Sequence, residues 1–598
     1  MEKFWTTESA PVLRALDAGQ SPVLVSGVGP AMRAHMAAAL RKQMDLPLSV
    51  VCPDDGAAET MCRDLEALLR EPVTLLPGRD FAFYVTDGAS RGTEQKRIAA
   101  LDALTRGVAP VTVTTVAALL QRTLPPAALR STAFELRQDQ EIDPAQVECE
   151  LLHSGYVRRE QVESVGQYAR RGGILDVFSP AAEQPVRMEF WGDEIDSMGF
   201  FDTGDQRRTE NVALCRVLPA AEALACLAPG GEEGLAAALD AEAAKAARSR
   251  ATERVKYAAT LRAEAEKLRE TGVLPAPDRF LPLMYPDFTC ALDYLPPDAL
   301  IFLDQPAKTG KLAEDQQKLL AEDLKVLQQG GALSGTLPDF RLPWIEAAER
   351  FAEFPVVMGE NFTQSRCVPE PRAIVSVTAK QLPSYGGNLE AACDDVRHYV
   401  STDNAVIVLA GDQRRAAALQ SFFAERGIAA RLVEHLSVPV APGECAIAVG
   451  ALSGGFEYPG SKLAVLTDAQ ILQPGFRRGK RKKKLPADRK HLDSYADLSV
   501  GDLVVHEYHG IGRFAGVVQM KVDGVDKDYV KICYAGSDVL YVPATQLDLV
   551  SKYTPCGRSG RMGWYSSVPP YAQAGGCYTP GLSAAPGYRE RGSAHRLP

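Results

Sequence analysis

Short apolar runs alternate with helix-length segments over the first 120 or so residues of the 598-residue chain. Four of these runs have the length of strands, at residues 23–25, 48–51, 73–76 and 111–113. Between them, apolar residues recur at three- and four-residue spacing, which is typical of helices that cover a sheet. The alternation predicts a parallel α/β sheet in a first domain of residues 1–125.

The apolar period falls toward two between residues 126 and 214, where Gly and Asp interrupt short alternating runs. This pattern predicts a smaller, hairpin-rich domain inserted into the first one. An Ala-rich, strongly helical stretch follows at 234–271, and short apolar strands are expected at 275–304. We expect residues 215–345 to pair back with the first sheet and to complete the first domain.

A second α/β domain is predicted for residues 370–472, with a strand at 405–409, a helix at 413–426 and strands at 445–449 and 462–466. Residues 473–497 form a basic linker. Its charged cluster consists of Arg477, Arg478, Lys480, Arg481, Lys482, Lys483 and Lys484. A like-charge block favours a solvated tether, and contact with DNA phosphates is the alternative.

Residues 498–553 alternate as strands do and are broken by turn residues at 509–510, 522–525 and 535–538. Four or five short strands in so few residues predict a small β-barrel. Residues 554–598 contain neither Lys nor Asp and show no periodicity. They cannot bury enough apolar surface to fold, which predicts a disordered or out-of-frame tail.

The formal net charge of −10 excludes a protein coated overall for nucleic acid, so any such contact is local. The 12 cysteines are scattered without a Cys-x-x-Cys pair, and His506 and His509 lack a zinc-site pattern, so we expect reduced thiols and no metal. The apolar runs are too short to span a membrane and the N-terminus has no signal-peptide pattern, which predicts a cytoplasmic protein.

A phosphate-binding loop would be expected where the first strand passes into the first helix after it, at residues 26–34. A working loop needs a second Gly, a Lys for the phosphates and a hydroxyl for Mg²⁺. After Gly27, those places hold Met32, Arg33 and Ala34. We therefore predict a degenerate RecA/P-loop-like domain with no cofactor and no ATP hydrolysis, although Arg33 could still attract an anion. The acidic pair 193–194 follows a Gly and is interpreted as a hairpin turn.

Apolar and polar residues alternate along 186–191. A strand there would direct one set of side chains to the core and the other to the opposite face. The inward set is Val186, Met188 and Phe190, and the outward set is Arg187, Glu189 and Trp191. An exposed Trp beside Arg has the composition of a binding hot spot. Coverage of Trp191 by a neighbouring domain is an equally good interpretation.

The stretch RGGILDVFSP, followed by PVRMEFWGDEIDSMGFFD, resembles the module shared by the excision-repair helicase UvrB and the bacterial transcription-repair coupling factors (Mfd). The resemblance implies binding of the damage-recognition ATPase UvrA through Arg171, Arg187 and Trp191, the last at a position where other members often have Phe. The degenerate loop favours the coupling factors, since UvrB has an intact loop.

The segments LSVGDLVVHEYHGIGRFAGVVQM and DYVKICYAGSDVLYVPATQLDLVSKY resemble the RNA-polymerase-interacting domain of the same family, a Tudor/SH3-like barrel related to the CarD-type regulators. The resemblance implies that this domain adds a strand to the polymerase β subunit. The strand 514–521 is the expected edge, with Val518, Met520 and Lys521 as contacts. Phe514, Val518 and Met520 are expected on one face, and burial of Val518 and Met520 in the core is the alternative.

The resemblance extends over residues 1–553, and the family continues beyond it into an ATP- and Mg²⁺-dependent translocase motor and a domain that masks the UvrA-binding face. The predicted function is a transcription-coupled excision-repair adaptor. Without the motor, it would bind RNA polymerase and recruit UvrA to transcription stalled at DNA damage. The alternatives are an ATP-dependent DNA helicase or translocase of the excision-repair class, and a CarD-type transcription regulator, which explains only the last fifth of the ordered chain.

Overall fold

The computed structural model describes residues 7–83, 91–248, 252–329, 333, 339–362, 367–433, 440–471, 489–491, 503–506, 510–522, 525–533, 539–543 and 550–553. The chain divides into two compact units, Met1–Phe476 and Arg477–Pro598. Its strands are numbered β1 to β27 in chain order. The basic cluster 477–484 and the tail 554–598 lie outside the described residues.

A seven-stranded parallel sheet, in the order β15-β1-β14-β13-β2-β4-β3, is the centre of the first domain. Its members are β1 (Val23–Ser26), β2 (Leu48–Cys52), β3 (Thr74–Leu76), β4 (Val111–Thr115), β13 (Leu300–Asp304), β14 (Val356–Glu360) and β15 (Ala373–Ser376). The four predicted strands are confirmed. The return of residues 215–345 to this sheet is confirmed as well, because β13 pairs with β2.

Two predictions about this region are wrong in detail. Strand β15 belongs to the first sheet, where it lies against β1, and not to a second domain that begins at residue 370. Residues 275–304 contribute a single strand, β13, and otherwise form short helices and 3₁₀ turns. Pro275, Pro277, Pro282 and Pro286 explain this, because each lacks the backbone N–H that a strand ladder needs.

Helices cover both faces of this sheet. The helix Pro30–Met44 is buried at every residue from Ala31 to Leu40, because it lies between the first sheet and the sheet of the second α/β domain. The predicted Ala-rich helical stretch is a packed pair of helices. The helices of the described residues are Ala10–Asp17, Pro30–Met44, Asp55–Leu69, Gly92–Thr105, Val116–Leu120, Pro126–Thr132, Pro144–His153, Gly231–Ala247, Thr252–Thr271, Leu281–Met284, Pro306–Gln329, Trp344–Arg350, Leu389–Ser401, Gln413–Glu425 and Asp468–Ile471.

The inserted domain is a six-stranded sheet in the order β11-β10-β9-β8-β7-β6. Its strands are β6 (Val157–Arg158), β7 (Gln167–Arg171), β8 (Ile174–Val177), β9 (Val186–Trp191), β10 (Glu194–Phe201) and β11 (Arg208–Asn211). A separate ribbon pairs β5 (Phe134–Arg137) with β12 (Leu214–Val217), so the insertion extends a few residues beyond the predicted end at 214. The hairpin turn at 192–194 is confirmed, with Gly192 at φ +67°.

The second α/β domain has a mixed sheet in the order β16-β20-β21-β17-β19-β18. Its strands are β16 (Lys380–Gln381), β17 (Ala405–Ala410), β18 (Ala430–Val433), β19 (Cys445–Val449), β20 (Phe456–Tyr458) and β21 (Leu463–Thr467). The strands from β21 to β18 are parallel, and β20 and β16 are antiparallel additions at one edge. The strands and the helix that the sequence predicts here are confirmed.

The second unit is an antiparallel sheet in the order β22-β27-β23-β24-β25-β26. Its strands are β22 (Arg489–His491), β23 (Leu503–His506), β24 (Gly510–Val522), β25 (Val525–Cys533), β26 (Val539–Pro543) and β27 (Val550–Tyr553). Its small core consists of Val504, Phe514, Val530, Ile532 and Val542. Part of the predicted linker is therefore a strand, β22, because it finds a pairing edge on β27.

Candidate partner-binding sites

The degenerate loop between β1 and the helix Pro30–Met44 is filled by an internal ion pair. The Arg33 Nη1 donates hydrogen bonds to the Val28 carbonyl at 3.0 Å and to Asn361 Oδ1 at 2.9 Å, and its Nε donates to the Asp304 carboxylate. The side chains of Arg33 and Asp304 are only 4% and 3% exposed. Burial raises the pKa of the Asp304 carboxyl, and the positive charge of Arg33 counteracts that rise.

These contacts leave no place for a nucleotide phosphate. Arg33 uses its donors inside the protein, so the expectation that it could attract an anion is wrong. The Met32 side chain lies over Gly29, and Gly27, at φ +87°, lies so close to the Val377 carbonyl that a Cβ would clash with its oxygen. Ala34 supplies no hydroxyl. The residues present therefore do not fit ATP–Mg²⁺.

We expect ATP–Mg²⁺ to show no saturable binding to this chain at millimolar concentration. The reason is that the guanidinium of Arg33 is held by Asp304, Val28 and Asn361. Isothermal titration calorimetry would measure this, with a P-loop ATPase as the positive control. Stoichiometric binding of ATP would contradict the prediction.

The outer face of the inserted sheet, opposite its apolar core, carries the predicted UvrA-binding residues. Val186 and Met188 of β9 are buried in the core and Phe190 is partly buried against it, as the alternation predicts. Trp191, on the opposite face, is 82% exposed, and no part of the described chain covers it. The alternative interpretation, coverage by a neighbouring domain, is therefore wrong for the described residues.

Arg187 lies on the same face but is largely covered, with only 16% of its side chain exposed. Its Nε and Nη2 donate to the two carboxylate oxygens of Asp176 at 2.7 and 2.9 Å, and its Nη1 donates to the Gln206 carbonyl at 3.1 Å. Its guanidinium lies 4.6 Å from the ring centre of Phe201. The hydrogen bonds that Arg187 donates to Asp176 raise the pKa of the Arg187 guanidinium. Arg187 is on the predicted outward face, but it is largely covered because Asp176 and the loop before β11 hold it against the sheet.

Arg171 reaches the same carboxylate from β7. Its Nη2 donates to Asp176 Oδ2 at 2.8 Å, while 44% of its side chain stays exposed. The structure thus joins two of the three predicted residues through one buried carboxylate, Asp176. Sequence reasoning missed Asp176. The strand register could have identified it. Asp176 on β8 is directly opposite Arg187 on β9, and oppositely charged residues commonly pair at such positions.

In the second unit, the register of β24 separates residues that the sequence groups together. A bulge between Phe514 and Val517, with Gly516 at φ +109°, shifts the alternation by one position. Phe514 pairs with Ile532 and Val517 with Val530, both core residues, whereas Val518 pairs with Tyr529 and Met520 with Lys527. The side chains of Val518, Met520 and Lys521 lie outside the described residues, so their shared face and their role as contacts stay predictions.

The edge of β24 is partly open. Its first residues, 510–513, pair with β23, and from Arg513 onward it pairs with β25 on the other side. Among the described residues, no second strand pairs with β24 beyond Arg513. An unpaired strand edge is a template for an added strand.

Other classes of site are absent from the described parts of the chain. No group of His, Cys, Asp and Glu there could hold a metal ion. Every cysteine in these parts is free, and most are buried, as the sequence predicts. No helix within these parts is both long and apolar enough to cross a membrane.

Two family models match the chain at the two regions just described. The model of the UvrB interaction domain matches residues 134–222, and the model of the CarD-like/TRCF RID domain matches residues 498–554. The first match covers the inserted sheet with its β5–β12 ribbon, and the second covers all strands of the second unit except β22.

Transcription-repair-coupling factors of several bacteria are similar to this chain over most of its length. The protein of Bacillus subtilis is 29% identical over 547 residues, which are 91% of this chain and 46% of that relative. The proteins of Staphylococcus aureus and Staphylococcus haemolyticus are each 26% identical, over 90% of this chain and 45% of the relative. The chain thus spans less than half the length of these relatives. Its two domain matches and the extent of this similarity make the chain similar to the N-terminal part of the transcription-repair-coupling factors.

Proposed function

We propose that this chain is a docking adaptor of transcription-coupled excision repair, with UvrA bound by the inserted domain and the RNA polymerase β subunit bound by the second unit. The observation that carries the proposal is the open outer face of the inserted sheet, where an 82% exposed Trp191 accompanies two arginines held by Asp176. For the residues of this sequence, the proposed role is that of an adaptor and not that of a nucleotide-driven motor.

The UvrA-binding face combines a rigid arginine pair with an exposed aromatic side chain. Arg187 is fixed by Asp176, Gln206 and Phe201, so little side-chain entropy remains to be lost when a partner binds. Trp191 supplies a large apolar surface next to this charged group. Tryptophan and arginine are the residue types that dominate binding energy in protein interfaces.

The polymerase-binding edge is the part of β24 beyond Arg513. There β24 pairs with β25 alone among the described strands, and Val518 and Met520 lie on this part of β24. Strand addition would use the backbone of this edge for affinity and alternate side chains for specificity. Lys521 lies next to the turn into β25, at the end of the same edge.

The competing functions fit the geometry less well. A nucleotide-driven helicase or translocase would need a phosphate site, and the Arg33–Asp304 pair fills the only loop of that type in the described residues. A CarD-type regulator would use the second unit and leave the exposed face around Trp191 without a role.

Size-exclusion chromatography with purified UvrA and RNA polymerase tests the proposal. We expect this chain to co-elute with each partner alone and with both together. Co-elution with polymerase but not with UvrA would favour the CarD-type function. Failure to co-elute with either partner would reject the adaptor.

Val518→Asp should weaken polymerase binding about tenfold or more, because pairing of a partner strand along β24 would remove water from the new carboxylate. UvrA binding should be unchanged. Leu503→Asp is the matched control, because Leu503 is an apolar residue of the same sheet that is 40% exposed on β23. Biolayer interferometry with immobilised polymerase measures both, and equal affinities of the two variants would contradict the proposed edge.

A further inference from the structure

An arginine-lined cleft lies at the end of β6 and β7 in the inserted domain. It has a volume of about 560 Å³ and is lined by Arg158, Arg159, Glu160, Arg170 and Arg171. Arg171 also bonds Asp176, so the cleft shares a residue with the proposed UvrA-binding face. The two features are therefore continuous.

The arginines of the cleft lie on both faces of the sheet. Arg158 and Arg170 share the carboxylate of Glu148, each at 3.0 Å, on the face that packs on the helix Pro144–His153. Alternation along β7 places Arg171 on the face that carries Trp191, and Arg159 follows the last residue of β6, where its backbone N–H continues the pairing with β7 at the Tyr168 carbonyl. They meet at the end of the strands, where the cleft opens.

Of the four arginines of the cleft, Arg159 is the one without an ion pair among the described residues. It is exposed, its backbone N–H donates to the Tyr168 carbonyl at 2.9 Å, and its side chain has no ion pair within the described chain. Each of the other three arginines has a carboxylate partner within 3.0 Å. The backbone bond holds Arg159 at the cleft, whose lining has four arginines and one carboxylate, Glu160, and is therefore positively charged overall.

We propose that this cleft binds an acidic segment of the protein that docks on the Trp191 face, with Arg159 as the primary contact. Arg171 is shared between the cleft and the Trp191 face. The proposal rests on the proposed function, under which the protein that docks on the Trp191 face is UvrA. A guanidinium binds a carboxylate through two parallel hydrogen bonds, and complementary charge at the rim of an interface raises the association rate.

The shape of the cleft favours an acidic protein segment over DNA. Binding of a nucleic-acid backbone uses a row of cations along a groove, whereas these four arginines lie together at the ends of two neighbouring strands. The chain as a whole carries a net charge of −10, which opposes binding of a polyanion over a larger surface.

The test measures the affinity of the whole chain for purified UvrA at several salt concentrations. We expect Arg159→Glu to weaken binding about tenfold at low salt, mainly through the association rate, and to make the salt dependence shallower. Arg159→Lys should keep the association rate because it keeps the charge, and should lose part of the affinity through faster dissociation because an ammonium lacks the paired donors of a guanidinium. Arg137→Glu is the matched control, since Arg137 is a 64% exposed arginine on β5 of the same domain, and it should bind normally.

Trp191→Ala, measured in the same assay, separates the cleft from the proposed function. Normal binding by Arg159→Glu and loss of binding by Trp191→Ala would overturn the cleft and leave the UvrA-binding face intact. Weakening by Arg159→Glu with normal binding by Trp191→Ala would support the cleft and reject the Trp191 face. Normal binding by both variants would overturn both proposals. If Arg159→Glu weakens only the binding of a fluorescein-labelled DNA duplex, measured by anisotropy, the cleft is a phosphate site and the proposal is overturned.

Discussion

Replacement of Trp191 by alanine should lower the affinity for UvrA by about 2–4 kcal/mol, which is roughly a 30- to 1000-fold loss. The indole is 82% exposed in the described chain, so its apolar surface is available to a partner and contributes little to folding. We therefore expect the free energy of unfolding to change by less than about 0.5 kcal/mol. Polymerase binding should be unchanged, because it is assigned to the other unit.

Phe362→Ala is the control for this substitution. Phe362 is 81% exposed, so it matches Trp191 in aromatic character and exposure, but it follows β14 in the first domain. Trp191→Phe should keep most of the affinity, since an aromatic ring remains. Calorimetry of UvrA binding compares the variants. The hot-spot assignment fails if Trp191→Ala and Phe362→Ala bind UvrA equally well.

The sequence predicted the layered architecture because that information is local. Fully buried parallel strands such as β2 and β4 are continuous apolar runs, and the hairpin at Gly192 is specified by its turn residues. Membership of β15 in the first sheet was not predictable in this way. It depends on a pairing with β1 across 350 positions of the chain, from Val23 to Ala373, and no local pattern encodes such a contact.

The site residues show the same division between local and long-range information. Alternation along β9 correctly placed Trp191 opposite the core, and it could not reveal that Phe201 and Gln206 cover Arg187. In β24, one extra residue at the bulge reverses the alternation after Phe514. Likewise, the sequence showed that Arg33 replaces a phosphate-loop residue. It could not show that Arg33 pairs with Asp304, because Asp304 is 271 positions away.

Asp176→Ala should destabilise the inserted domain by about 3–5 kcal/mol, because it removes the carboxylate that neutralises a largely buried guanidinium. Asp176 is completely buried and bonds both Arg171 and Arg187, and Arg187 would keep only the Gln206 carbonyl and the Phe201 ring. Hydrogen exchange of the β8 and β9 amides, followed by mass spectrometry, would measure the local loss of stability in the whole chain. UvrA affinity should fall as well, because both arginines lose the group that positions them.

Glu189→Gln is the control, because it changes a carboxylate on the same face that is 46% exposed and lies 3.6 Å from Arg208. An ion pair so exposed contributes little to stability, and we expect the free energy of unfolding to fall by less than about 1 kcal/mol. The double variant Asp176→Ala/Arg187→Met should recover much of the stability, since no buried charge is then left without a partner. UvrA binding should stay weak in the double variant, because Arg187 is absent. If Asp176→Ala costs no more than Glu189→Gln, or if the double variant is less stable than Asp176→Ala, the buried carboxylate does not hold this face together.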